Sequence, residues 1–318
     1  MLPTTPLAVA PTAALFIVLN TGSGSHEAGE PEATIRRVLT EAGRAFHLRP
    51  IVKGTPMQTT IQQAVRDAKA QGGVVVAAGG DGTINAVAAA TLGSGCPFGV
   101  LPQGTFNYFG RTHGIPEDTA DATRLLLGNT AWPVQVGLIN DRVFLVNASL
   151  GLYPQLLQDR EAYKAQFGRS RLVALGSAFV TLLREHRQLK LRIDHAGGTR
   201  VLRTPTLFVG NNPLQLQQIG LPEATQIEHG QLAAVLLKPV STLAMLGLLA
   251  RGALGQLGEA DDVLSFAFDQ ITVAPAMPYG KRRIKVATDG EIGWAKAPLQ
   301  FRVSPQPLYL LKPAPAAP

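Results

Sequence analysis

Val74-Val-Val-Ala-Ala-Gly-Gly-Asp-Gly-Thr-Ile-Asn85 follows a Gly72-Gly73 break, opens on three β-branched residues and leads into alanine-rich sequence as far as Ala90. The valines read as a buried strand of a parallel sheet. Thr83 reads as the cap of a helix over residues 84–90. Between them, glycines at 79, 80 and 82 let the backbone turn sharply and keep any Cβ out of a ligand's way. The N–H groups of a helix start favour an anion. A phosphate fits here, and Asp81 sits close enough to hold its Mg²⁺ or to orient a hydroxyl. A bare strand-to-helix turn is the plain alternative, but it gives the acidic residue no reason to be there.

The same texture extends on both sides. Residues 14–19 form an apolar run that reads as the first buried strand, ending in the polar loop Asn20-Thr-Gly-Ser-Gly24. Pro31 sits near the start of an amphipathic helix that places Ile35, Val38, Leu39, Ala42 and Phe46 on one face. Ile51-Val52 reads as a second strand, and residues 61–70 as another helix. After the glycine loop, Phe98-Gly-Val-Leu101 is a strand. It runs into a second glycine-bearing loop, Pro102-Gln-Gly-Thr-Phe-Asn-Tyr-Phe-Gly110. Strand and helix alternate to about Gly128, which predicts an open α/β sheet, mostly parallel. Ligands of such sheets bind at the carboxyl ends of the strands, where all three loops fall.

From about Thr130 the pattern changes to short strands separated by Asp, Asn and Gly turns, as in an antiparallel sandwich. They read at 133–139, 142–146, 189–193, 206–209, 232–237, 271–273, 284–287 and 299–303. Two helical insertions interrupt them, at 172–189 and 242–257. Packing on the sheet is the common fate of such helices, and docking on a bilayer the alternative. The expected organisation is a disordered lead-in over 1–13, an α/β nucleotide-binding domain over 14–130, a β-rich substrate domain over 131–304 and a tail over 305–318.

The chain of 318 residues is long enough for two domains with proper cores. Its net charge of +7 and pI near 9.8 point to an anionic partner such as a nucleotide or an anionic membrane surface. Nucleic acid is disfavoured, because no zinc-ligand spacing or basic helix stands out and aromatic residues are only 6%. The single cysteine, Cys96, excludes an internal disulfide and fits a reducing compartment, so a cytoplasmic protein is expected. No run of about 18 apolar residues is present. Peripheral attachment to the inner membrane face is left open, as is a homodimer.

These motifs resemble the diacylglycerol kinase catalytic-domain family of lipid kinases, its bacterial members in particular. The carriers are Asn20-Thr-Gly-Ser-Gly24, Gly79-Gly-Asp-Gly-Thr-Ile-Asn85, Leu101-Pro-Gln-Gly-Thr-Phe-Asn107, Asn147-Ala-Ser-Leu-Gly151 and Asp289-Gly-Glu291. One Gly-Gly-Asp-Gly-Thr alone is shared with NAD kinases and phosphofructokinases. The second loop and the late Asp-Gly-Glu are more specific to the lipid kinases. The resemblance implies two domains with the active site in the cleft between them, and ATP and Mg²⁺ as cofactors. ATP would lie against Asn20, Thr21, Gly22, Ser23 and Gly24, against Gly79, Gly80, Asp81, Gly82, Thr83, Ile84 and Asn85, and against Gly104, Thr105 and Asn107. Thr55 is a further match, and Asp81 is the metal ligand. The general base maps to Asp289 or Glu291, and a hairpin turn is the plain reading of Asp289-Gly290.

The implied reaction moves the γ-phosphate of ATP to a hydroxyl of a membrane lipid such as a diacylglycerol, a sphingoid base or phosphatidylglycerol. Two departures bear on it. Tyr108 stands where family members usually carry Asp, and His229 replaces an Asp of a structural Mg²⁺ site, which is therefore not expected here. Arg169, Arg171 and the run Lys281-Arg-Arg-Ile-Lys285 read as a solvated face or as attraction for anionic headgroups. The alternatives are a soluble-substrate kinase of the NAD kinase kind, or a catalytically weak lipid- or nucleotide-binding protein.

Overall fold

The structure, a computed structural model, describes residues 5–20, 29–52, 54–151, 188–195, 197–277 and 282–314. The chain divides into two units, Met1–Val136 with Ser304–Pro318, and Gly137–Val303. The first is an α/β unit with a mostly parallel sheet, and the second is all-β apart from short helices.

The first unit is built on β2 (Leu15–Leu19), β3 (Phe46–Pro50), β4 (Val74–Gly79) and β5 (Phe98–Pro102), which lie in the order β5-β4-β2-β3, all parallel. Every residue of β2, β4 and β5 is buried, as expected for strands covered on both faces. The cover comes from α1 (Glu30–Glu41), α2 (Met57–Gln71), α3 (Asp81–Thr91) and α5 (Thr119–Leu125), with the short α4 (Tyr108–Thr112) after β5. Their buried residues, among them Ile35, Leu39, Ile61, Ala64, Ile84 and Val87, recur at helical spacing.

The structure corrects the predicted boundaries here. Phe46 belongs to β3 rather than to the face of α1, because Gly43 adopts a left-handed φ of 63° that ends the helix first. The second strand accordingly precedes Ile51 and Val52. The expected disordered lead-in contains β1 (Leu7–Ala8), paired with β6 (Thr130–Val134). The expected tail contains β19 (Leu308–Leu311), which lies between β5, to which it is parallel, and β6, to which it is antiparallel. Leu308, Leu310 and Leu311 are buried there. Both ends of the chain therefore complete the first unit, and the passage to the second falls after Val136 instead of at 130.

The second unit stacks two six-stranded antiparallel sheets. One has β7 (Gly137–Ile139), β8 (Arg142–Phe144), β10 (Leu189–His195), β11 (Gly198–Thr204), β15 (Gln270–Pro275) and β18 (Leu299–Val303), in the order β11-β10-β15-β18-β7-β8. The other has β9 (Asn147–Gly151), β12 (Thr206–Gly210), β13 (Leu232–Leu237), β14 (Val263–Phe268), β16 (Arg283–Thr288) and β17 (Glu291–Lys296), in the order β14-β13-β12-β9-β16-β17. Alternate residues of both sheets, among them Leu150, Val209, Leu232, Ile193, Val273 and Phe301, share one core. On the outer side, α6 (Pro213–Gln218) and α7 (Ala224–Glu228) pack Leu216, Leu221 and Ile227 against Ala233 and Val235. The insertion expected at 242–257 is α8 (Thr242–Ala253), capped by the Ser241 side chain. The one expected at 172–189 falls outside the described residues except at its last two positions, where Leu189 begins β10. Among the described residues no helix is long and apolar enough to cross a membrane.

Candidate active site

In the first unit, neighbouring parallel strands deliver three loops at their carboxyl ends. The first follows β2 at Asn20, the second leaves β4 at Gly79, and the third leaves β5 at Gln103. Backbone hydrogen bonds tie the loops side by side: Asn20 N–H donates to the Ala78 carbonyl and Gln103 N–H to the Gly79 carbonyl, both at 2.9 Å. Asn20 Nδ2 donates to Thr83 Oγ1 at 2.9 Å, so the first loop is fastened to the start of α3.

The glycines act through their missing side chains. Gly80 has φ −80° and ψ 177°, ordinary extended backbone that any residue adopts, so the expected sharp turn is not what requires it. A Cβ on Gly79 would lie 2.8 Å from Cβ of Thr83, and one on Gly104 would lie 2.9 Å from Asn107 Oδ1 and 3.1 Å from Gly80 Cα. The two glycine loops thus touch through positions that admit no side chain. Thr83 does not cap the helix as its sequence position suggests. The helix begins at Asp81 after Gly80, no side chain caps it, and the Thr83 hydroxyl is taken by Asn20.

Asn107 braces the second glycine loop. It is buried in the left-handed region at φ 46°, a conformation Asn tolerates better than most residues. Gly104 N–H donates to its Oδ1 at 3.0 Å, and its Nδ2 donates back to the Gly104 carbonyl at 2.9 Å. Thr105 is exposed at the tip, and Thr55 is exposed in the turn after β3. Ile84 is fully buried with its side chain in the core, so any ligand contact there is limited to its backbone. Thr21, Gly22, Ser23 and Gly24 lie outside the described residues, as do Arg169, Arg171 and Lys281.

Asp81 sits between these loops. Burial, the larger effect, pushes its carboxyl above the ordinary Asp value, while backbone N–H groups of Asn107, Phe109, Tyr108 and Asp81 itself pull it down. Its Oδ1 is buried and has no hydrogen-bond partner among the described residues. A desolvated carboxylate oxygen left unpaired is costly unless a cation or donor reaches it. Gln103, which no sequence signal singles out, is buried at the start of the next loop, and its Nε2 too is unpartnered among the described residues. Among the described residues no group of three or more His, Cys, Asp or Glu could hold a metal. A cation at Asp81 would depend on oxygens from its ligand, which suits Mg²⁺ bound with a nucleotide's phosphates.

Beside the second glycine loop, Phe106 stacks on Tyr108 with ring centroids 6.0 Å apart and planes at 6°, and the Arg111 guanidinium lies 5.9 Å from the Tyr108 centroid. Phe106 is 49% exposed. Tyr108, expected from the sequence to depart from an Asp of the resembling family, is thus part of an aromatic shelf.

In the second unit, Asp289 and Gly290 are the two-residue turn between β16 and β17, both with positive φ, 48° and 84°. The turn reading of this pair is therefore realised. Asp289 does more than turn. Its Oδ2 accepts from Leu145 N–H at 2.7 Å, and its Oδ1 accepts from Val146 and Asn147 N–H at 2.9 Å each. The carboxylate clasps the backbone that enters β9. Glu291 begins β17 opposite Thr288; its side chain is exposed and makes no hydrogen bond or ion pair among the described residues. His229 closes α7 with its Nδ1 2.7 Å from the Thr225 carbonyl oxygen.

The sequence model of the diacylglycerol kinase catalytic domain matches residues 14–139. A Klebsiella pneumoniae (strain 342) protein named "Probable lipid kinase YegS-like" is 34% identical over 140 residues, 43% of this chain and 45% of that protein. Its namesake from Cronobacter sakazakii (strain ATCC BAA-894) is 32% identical over 144 residues, 44% of this chain and 46% of that protein. The matched stretch thus spans just under half the length of these curated relatives. The fold extends further. A solved Bacillus anthracis str. Sterne diacylglycerol kinase superimposes with a TM-score of 0.68 at 18% identity, covering 96% of this chain and 97% of that one. Another solved chain from that organism gives 0.72 at 20% identity over 96% and 98%. Residues 14–139 thus match the sequence model of the diacylglycerol kinase catalytic domain, and the chain as a whole has the fold of the solved diacylglycerol kinases.

Proposed function

We propose that this protein is an ATP-dependent lipid kinase that transfers the γ-phosphate to a hydroxyl of a membrane lipid. The observation that carries the reading is the buried Asp81 Oδ1, unpartnered among the described residues, at the meeting of two glycine loops on the carboxyl edge of a parallel sheet. Phosphoryl transfer asks for positioned phosphates, neutralised charge and a proton acceptor, with little covalent chemistry from the protein. Asn20, Gly79, Gly80, Gly82, Thr83, Asn85, Gly104, Thr105 and Asn107 supply the cradle for phosphates, with Thr55 at its margin. Mg²⁺ would be held by Asp81 together with phosphate oxygens, and bound there it would supply charge neutralisation.

The two acidic residues of the second unit take different parts in this reading. Three backbone N–H groups already occupy lone pairs of the Asp289 carboxylate, which suits it to positioning. The Glu291 carboxylate is uncommitted among the described residues and takes the proton of the attacking hydroxyl. Tyr108 motivates a second reading, a nucleotide-binding protein of weak turnover, since it fills the acidic position of the family with a stacked ring.

Calorimetric titration tests the shared premise. ATP is expected to bind with Mg²⁺ and at least tenfold more weakly to Asp81→Asn, and binding by the parent protein should fade with acidification earlier than an ordinary Asp would dictate, because the Asp81 carboxyl is raised. Equal Mg²⁺-dependent affinity in parent and variant would remove Asp81 from the site. ATP binding without transfer to any acceptor would favour the second reading.

A further inference from the structure

The ribbon of β16 and β17 lies at the edge of its sheet. Its cross-strand pairs fix which residues share a face. Ile284 opposite Ala295 and Val286 opposite Gly293 turn toward the core, where Val286 is buried and Ile284 and Ala295 pack. The opposite face carries Arg283 paired with Lys296, Lys285 paired with Trp294, and Ala287 paired with Ile292. Trp294 is 60% exposed and Ile292 38%. Lys285 Nζ lies 5.8 Å from the Trp294 ring centroid.

Those three pairs bring three cations and no acid to the face. Arg283 and Lys296 stand directly opposite each other, a like-charge pair that destabilises a sheet unless an anion intervenes. Lysines on an edge strand serve to block unwanted strand pairing, but that purpose gives no reason for an exposed tryptophan beside them. An indole flanked by cations is matched to the headgroup layer of a bilayer, with its ring at the apolar boundary and its charges among phosphates.

We propose that this face of the β16–β17 ribbon docks on an anionic bilayer, with Trp294 and Ile292 entering the headgroup boundary and Arg283 and Lys296 gripping lipid phosphates. The proposal rests on the reading of the protein as a lipid kinase and names the surface by which it meets its lipid.

The test uses the full chain with Trp132→Phe, which leaves Trp294 as the sole tryptophan. Vesicles of phosphatidylcholine, with and without phosphatidylglycerol, are titrated in the absence of ATP. The expected result is a blue shift and quenching by a bilayer-embedded quencher on the anionic vesicles only. Replacing both Arg283 and Lys296 by Ala should weaken partitioning about thirtyfold. Trp294→Ala, followed by vesicle co-sedimentation because it has no tryptophan signal, should weaken it in a salt-insensitive way. Transfer to a short-chain, monomeric diacylglycerol should be unchanged in these variants, and transfer to vesicle-embedded diacylglycerol should fall. Equal vesicle binding by the parent and the Arg283/Lys296 double variant would overturn the proposal. So would self-association that Trp294→Ala abolishes, which would give the face to a second copy. Vesicle docking through this face by a protein that phosphorylates neither acceptor would sink the kinase reading and leave the docking standing.

Discussion

Asp289 carries two burdens that its sequence context shows only in part. Asp-Gly is a turn pair, and the turn is present, yet the carboxylate also gathers three N–H groups across a sequence separation of more than 140 residues. Hydrogen bonds to a charged group contribute about 1.5–3 kcal/mol each. Asp289→Asn, which keeps one carbonyl oxygen and adds donors facing N–H groups, is expected to lower stability by about 2–3 kcal/mol in urea unfolding. Glu291→Gln should stay within about 0.5 kcal/mol of the parent and reduce phosphoryl transfer about a hundredfold or more. Full turnover in Glu291→Gln, with loss in a folded Asp289→Asn, would exchange the two roles. The turn at these positions was legible, since Asp-Gly is a preferred hairpin turn pair. Their partners were not, because Leu145, Val146 and Asn147 meet Asp289 only through the sheet. Thr83 makes the same point: its spacing reads as a cap, and a distant Asn20 claims its hydroxyl.

At the scale of elements, β19 is the instructive case. Leu308-Tyr-Leu-Leu311 is a short apolar run between prolines, with no periodicity long enough to separate a strand from a tail. Its place between β5 and β6 comes entirely from tertiary pairing. Leu310 is fully buried, and Leu310→Ala is expected to cost about 2–5 kcal/mol in chemical unfolding. A change within about 0.5 kcal/mol would mean that the segment is a solvated tail after all. The parallel strands β2, β4 and β5 were legible because burial on both faces writes a continuous apolar run. Strands β9, β11, β14 and β17 were not. Asn147-Ala-Ser-Leu-Gly151 mixes polar residues into a buried strand, and β17 offers its apolar residues outward.

For the whole molecule, fold and sequence likeness have different reach. The catalytic-domain match stops at residue 139, whereas the backbone follows solved diacylglycerol kinases over 96% of the chain. The second unit needs only alternating apolar residues to form its shared core, and many sequences satisfy that. The glycine loops must bring backbones together at Gly80 and Gly104, which few sequences can do. That contrast explains why the loops of the first unit could be read from sequence in detail and the second unit only as a β-rich domain. The most direct test of the account is transfer of labelled phosphate from Mg²⁺-ATP into a total lipid extract in mixed micelles, resolved by chromatography, with Asp81→Asn alongside. The account predicts a labelled lipid band that the variant loses. A folded, ATP-binding parent protein that labels no lipid, and labels NAD or another soluble acceptor instead, would contradict it.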